Sequence, residues 1–278
     1  MHCKPHGLDR AGARRIFSVT GGTTMKPAAL CLALALPAPA VALDLWPRIG
    51  WDVTQPVSLA YDAELCGLWI AQERPEIVLV TPGGREIRRF DTGFPRVRAI
   101  TVTGDTILVG NGFGDFRHFD REGRAQGPVF EILPGLYDIE GIHLDPEGAM
   151  LIVGDDPALL VQLDADGNEV RRIRGETLST PMVEPQGIGR DPVSGNILVV
   201  DDNEGLNALF EFSAQFELLS VTPLSEWGMD AEAVAIQPQT GQMFIGYDWS
   251  QRVMAFDWVP TRPSIPEPLD LGPPCPIS

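Results

Sequence analysis

Hydrophobic residues in this chain come in short runs, each broken after a few positions by Gly, Pro, Asp or Asn. The stretch VEPQGIGRDPVSGNILVVDDNEGLNALFEFSAQF, residues 183 to 216, shows the unit plainly. A strand at residues 187–189 leads through a turn at Asp191, Pro192 and Gly195 into an apolar run at 197–200. An acidic break at Asp201, Asp202 and Asn203 precedes a third strand at 208–212. Runs this short, rich in β-branched and aromatic residues and closed by turn formers, read as strands. A sheet of this size cannot bury both faces alone, so copies of it should stack around an axis, as in a β-propeller.

Five copies align on the first strand: VSLAYDAELCGLWIA from Val57, RAITVTGDTILVG from Arg98, EGIHLDPEGAMLIVG from Glu140, QGIGRDPVSGNILVV from Gln186 and EAVAIQPQTGQMFIG from Glu232. The small residues Ser58, Ala99, Gly141, Gly187 and Ala233 recur every 41 to 46 residues, a period that suits a four-stranded blade. Third strands are expected at 77–80, 116–119, 159–163, 208–212 and 253–258. Turns at Thr81, Asp120 and Asp164 carry a glycine for positive φ and lead to fourth strands at 86–90, 129–132 and 169–173, and another is expected at 217–221. The last copy lacks a fourth strand because prolines break the chain from Val259 onward. Residues 43–53 form a spare strand at the other end, which can pair into the last blade and close the ring. The fold expected is all-β, a propeller of five blades, with six short blades also accommodated by the length.

The core from Pro185 to Asp201, P-x-G-I-x-x-D-x-x-x-G-N-I-L-V-V-D, resembles NHL repeats. It is also similar to blades of the SMP-30/gluconolactonase-like and SdiA-regulated-like propellers, where an E-G-I strand precedes D-P-x-x-G, as Glu140 to Gly148 do here. The resemblance implies a propeller, and it implies a range of functions from calcium-dependent lactonases to plain binding scaffolds.

Before the repeats, residues 1–24 show no periodicity. Met25 and Lys26 then open an apolar run that ends in Ala40-Val41-Ala42, the pattern of a secretory signal peptide at 25–42. That places the protein in the periplasm or outside the cell. The propeller is expected over 43–260 and a proline-rich tail over 261–278. Cys66 and Cys275 remain after cleavage, so in an oxidising compartment a disulfide between them would tie the tail to the first blade; two unrelated thiols are the alternative.

Residues 43–278 carry 16 basic and 37 acidic residues, a net charge of −21, and no lysine. Such a chain repels nucleic acid and anionic membrane and excludes lysine Schiff-base chemistry. No apolar stretch after the leader calls for membrane insertion. No G-x-S-x-G elbow, phosphate loop or dinucleotide fingerprint occurs.

In a propeller the innermost strand lines the axis. The residues just before the matched small positions, Val57, Arg98, Glu140, Gln186 and Glu232, therefore become candidates for the channel wall, and alternation adds Gln55, Arg96, Asp138, Glu184 and Asp230 two places earlier. Loops bearing Asn111, Asp155, Asp156, Asp201, Asp202, Asn203 and Asp248 should emerge at the same end. Oxygen ligands without histidine or thiolate suit Ca²⁺, and the expected ligands are Glu140, Gln186, Glu232 and Asp201. Equally, Arg96 and Arg98 could neutralise Glu140 and Glu232 without any metal. Arg98, Asp138, Gln186, Asp230 and Tyr247 are candidate ligand contacts, since aromatics beside carboxylates hold cationic or sugar-like groups. Two functions follow: an exported binding module for a small molecule or protein at an acidic mouth, or a calcium-dependent hydrolase of a lactone or ester with Glu140 or Glu232 as general base.

Overall fold

The computed structural model describes residues 42–265. The expected leader, apart from its last residue, lies outside them, as do Cys275 and the tail beyond Ile265. Five four-stranded antiparallel sheets make a five-bladed propeller. The first strand, β1 (Leu45–Asp52), is set aside for the last blade. Blade one is β2 (Ser58–Asp62), β3 (Gly67–Ala71), β4 (Glu76–Val80) and β5 (Glu86–Asp91). Blade two is β6 (Ala99–Thr103), β7 (Thr106–Gly110), β8 (Asp115–Asp120) and the short β9 (Phe130–Glu131). Blade three is β10 (Ile139–Leu144), β11 (Met150–Asp155), β12 (Ala158–Leu163) and β13 (Glu169–Arg174). Blade four is β14 (Pro185–Arg190), β15 (Ile197–Asp201), β16 (Ala208–Phe212) and β17 (Leu218–Pro223). Blade five has β18 (Ala231–Ile236), β19 (Met243–Tyr247) and β20 (Arg252–Trp258) from the end of the repeats, and takes β1 as its outer strand.

The β1–β20 pairing runs from Leu45↔Trp258 to Asp52↔Arg252 and supplies the fourth strand that prolines deny the last copy. One strand from the N-terminal side thus closes the ring. Beyond the sheets the described residues contain a single 3₁₀ turn, Gly175–Thr177, and no helix long and apolar enough to cross a membrane.

Five apolar clusters fill the wedges between neighbouring blades. Phe210 and Phe212, for example, pack with Leu151, Val153 and Leu160 between blades four and three, and each such side chain stabilises by about 1.5–3 kcal/mol when fully buried. At the hub the five inner strands crowd one another, which explains the recurring small residue. A Cβ on Gly141 would lie 2.3 Å from the Gln186 carbonyl oxygen, and one on Gly187 would lie 2.7 Å from the Ala233 Cα. Only glycine lets those backbones meet at that distance.

Candidate binding site at the acidic mouth

The inner strands begin, and the second strands end, at the same end of the axis, because the two run antiparallel. The alternation expected from Asp138 to Glu140 and from Asp230 to Glu232 is not what brings these carboxylates inward. Asp138 and Asp230 precede their strands with φ of 56° and 69°, in the left-handed region. Glu140 and Glu232 are instead the extra residues of β-bulges: Ile139 pairs Gly154 and Gly141 pairs Val153, while Ala231 pairs Tyr247 and Ala233 pairs Gly246. A third register shift spans Gln186, between Pro185↔Asp201 and Ile188↔Val199. A bulge frees one side chain from the pleat and re-aims it, so all three side chains are free to turn toward the hub. Blades one and two pair their inner strands without a shift.

Arg98 is the cation among these acids. Its Nε lies 2.7 Å from Glu140 Oε2, and its Nη1 lies 3.6 Å from Glu232 Oε2. The N–H is not directed along the shorter contact, so the pair is ionic without a well-formed hydrogen bond. Arg96 turns elsewhere: it pairs with Glu73 at 3.3 Å and lies 4.2 Å over the Phe113 ring. Arg98 is therefore the cation that contacts Glu140 and Glu232, while Arg96 acts on Glu140 from farther off.

Opposite Arg98, oxygens of Asp202, Asp230 and Glu232 lie within 4.8 Å of one another, all three side chains buried. Gln186 joins them, its Nε2 donating to Asp202 Oδ2 at 3.3 Å. The other Asp202 oxygen accepts from the amides of Glu204 and Gly205 at 2.7 and 3.3 Å. Asp230 accepts from the Asn203 amide at 3.4 Å. Asp201 does not join this group. Its Oδ1 accepts from the amides of Val183 and Glu184, both at 2.8 Å, and its Oδ2 from that of Leu206 at 2.6 Å. It is Asp202, one residue on, whose carboxylate meets the hub.

Burial raises the carboxyl groups here. Burial, opposed by Arg98 and reinforced by Asp230 and Asp202, pushes Glu232 up to about 9. Burial, opposed by Arg98, pushes Glu140 to about 7. Glu184 reaches about 7 through burial and the charges of Asp155 and Asp202, and Asp230 about 6 through burial and Asp202. Asp155, Asp202 and Asp248 are raised as well, burial leading in each case. Three acceptor oxygens, Gln186 Oε1, Glu232 Oε2 and Asp155 Oδ1, are buried without a hydrogen-bond donor. Such atoms normally find a partner.

Tyr247 is placed in the core between blades four and five, fully buried and behind Gly228, with burial raising its phenol. Its position differs from a ligand contact because β19 turns that side chain between sheets. Trp227 packs edge-on against Phe256 at 5.3 Å, and Trp249 stands 64 % exposed at the rim. His118 stacks on Phe130, and His143 lies 3.4 Å from Asp145 at the far end of the axis.

No protein-family model and no curated protein sequence matches the chain. Among solved structures it is similar to the glutaminyl cyclase of Myxococcus xanthus, with a TM-score of 0.60 and 9 % identity over 84 % of this chain and 100 % of that one. It is also similar to the WD40 β-propeller domain of Doa1, with a TM-score of 0.48 and 14 % identity over 73 % of this chain and 63 % of that one. At 9 % identity the likeness to the glutaminyl cyclase is one of fold.

Proposed function

We propose that this propeller is an exported binding module whose acidic mouth takes up a cation, with Ca²⁺ the ion that its donor set fits. The reading rests above all on the Gln186 and Glu232 oxygens, buried without a hydrogen-bond donor, in a group with Asp202 and Asp230 whose three carboxylates one guanidinium cannot neutralise. Asp202, Asp230, Glu232 and Gln186 would hold the ion; all offer hard oxygen atoms, which calcium prefers. Among the described residues the mouth brings no histidine or thiolate to this group. The ion would supply positive charge where Arg98 falls short, and would return Glu232 to its ionised form.

Thermal unfolding under increasing calcium tests this. The midpoint should rise with concentration, by the increment that binding to the folded state alone produces, and Glu232→Gln should remove the rise. A flat midpoint with calcium, magnesium and manganese, and no metal on elemental analysis of the purified protein, would overturn it.

A second reading is favoured by Glu140, a buried carboxyl held at about 7 beside Arg98. A group that titrates near neutral pH can act as general base or acid, which suits hydrolysis of a lactone or ester. A panel of lactones and aryl esters, run on wild type and Glu140→Gln, separates the two: turnover lost in the variant supports the hydrolase, and no turnover with calcium bound leaves the binding module.

A further inference from the structure

The acidic hub is ringed by bulky apolar side chains that point to water. Phe113, Tyr137, Val183, Leu206, Met229 and Trp249 are between 38 % and 64 % exposed. Each sits in a loop after a second strand or before an inner strand, so all six emerge at the mouth end. Most other exposed large apolar residues, such as Trp46, Ile87 and Val170, lie on outer-edge strands.

This rim is built, not incidental. The Asp201 carboxylate ties the amides of Val183 and Leu206 to one buried point. Next to Leu206, buried Asn207 donates to the Gly228 carbonyl at 2.9 Å and lies 3.9 Å from Met229 Sδ. The Met229 amide donates to Ser250 Oγ at 2.8 Å, beside Trp249. Val183, Leu206, Met229 and Trp249 thus form one connected arc across blades four and five. Phe113, under the Arg96 guanidinium, and Tyr137 form a second patch, where Gly114 lies against the Leu136–Tyr137 loop. At the same end of the axis Glu184 stands near the carboxylates of Asp155 and Glu204, whose charges act on it.

We propose that this face docks a protein segment in which one arginine or lysine is flanked by bulky apolar side chains. The apolar neighbours would lie on the two patches and the cation on Glu184 and its acidic neighbours Asp155 and Glu204. Exposed apolar surface of this extent around a polar centre marks an interaction site. Charge selects the partner: a second copy of this chain would bring the same acidic mouth against itself, and an anionic membrane would be repelled. The proposal rests on the mouth being a binding site, but it uses the rim and the acids of blades three and four, not the calcium ligands alone.

Selection of random peptides displayed on phage against the immobilised, calcium-loaded chain tests it. Enriched peptides should carry arginine or lysine between bulky apolar residues. A synthetic copy of one should bind at least about ten-fold more weakly when its basic residue is changed to Glu, and more weakly in high salt. Leu206→Ser with Trp249→Ser should weaken it by a similar factor and leave the calcium-dependent rise in melting midpoint unchanged. Enrichment of acidic or purely polar peptides, no enrichment at all, or equal binding to neutral lipid vesicles would overturn the proposal. Peptide binding in a protein whose midpoint ignores calcium would remove the calcium reading and leave the docking face standing.

Discussion

The guanidinium of Arg98 stands 2.7 Å from the carboxylate of Glu140, across the boundary between blade two and blade three. Arg98 immediately precedes β6, in a blade without a bulge, and Glu140 is the extra residue of a bulge in β10. The two occupy matched positions, each just before the small residue of its inner strand, and they meet as a pair. A regular first strand in one blade and a bulged one in the next bring opposite charges to the same height on the axis.

Removing that cation leaves two buried acids without a counterion. Arg98→Met should raise both carboxyls further, so the loss of stability is small near neutral pH, where they take up protons. It grows toward about 3–5 kcal/mol at the alkaline pH where both are ionised, the cost of breaking a buried pair from one side. Urea unfolding measures it. Adding Glu140→Gln to the Met variant should restore part of the alkaline loss, because a neutral amide has no charge to strand as pH rises. A loss under about 1 kcal/mol at that alkaline pH would mean that water or a bound ion already neutralises these acids.

The acids also set a pH dependence whose sign is opposite to the common carboxylate case. Glu140 and Glu184 at about 7, Asp230 at about 6 and Glu232 at about 9 all lie above the values they have when unfolded. Between those values and the unfolded ones, the folded chain binds more protons than the unfolded chain, so stability falls as pH rises. In the presence of a chelator the melting midpoint should decline from about pH 5 to about pH 9. With excess calcium the decline should flatten or reverse, because the ion displaces the same protons. A midpoint that climbs with pH in chelator would contradict the burial of these groups.

The blades were legible because each demands a small residue at the hub and a glycine or aspartate turn at a fixed distance from it. Ser58, Ala99, Gly141, Gly187 and Ala233 meet that demand, and the close approach of Gly141 to Gln186 and of Gly187 to Ala233 is its physical cause. The spare strand at residues 43–53 was legible by subtraction, and Leu45–Asp52 fills that place. The bulges were not legible. The matched positions named Glu140, Gln186 and Glu232 as wall residues, but the extra residue that frees each of them from the pleat leaves no mark on composition. The same limit separates Asp201 from Asp202. Both are acidic, Asp201 the last residue of β15 and Asp202 the next, but both Asp201 oxygens are taken by backbone amides while Asp202 keeps one oxygen for Gln186. Tyr247 shows the converse, an aromatic next to an acidic loop whose ring packs inward.

Asp201 should accordingly behave as a loop anchor and not as an ion ligand. Asp201→Ala leaves the amides of Val183, Glu184 and Leu206 without their acceptor. Bonds of this kind, to a charged group, contribute about 1.5–3 kcal/mol each. Hydrogen exchange at those three amides should accelerate, while the calcium-dependent rise in melting midpoint persists at a higher calcium concentration. Complete loss of the calcium response in a protein that still folds would assign Asp201 to the ion instead.

Blade four carries a further buried carboxylate, and it fastens the start of the tail. Glu211 is fully buried and accepts from Asn196 Nδ2 at 2.6 Å, Ser220 Oγ at 2.9 Å, the Thr261 amide at 3.0 Å and Thr261 Oγ1 at 2.6 Å. Residues past the last strand are thus held on blade four, where the Ser264 amide also donates to the Ser194 carbonyl at 2.6 Å and the Ala214 amide to Ser264 Oγ at 3.1 Å. A chain ending at Pro260 removes two of the four donors to Glu211 and should lose about 2–4 kcal/mol of stability. The loss should not add to that of Glu211→Gln, since both changes act on one network. In a cycle of the four proteins, the combined variant should be more stable than the sum of the single losses predicts, by more than about 1 kcal/mol. Strict additivity would mean that the tail is held by other contacts and that Glu211 serves blade four alone.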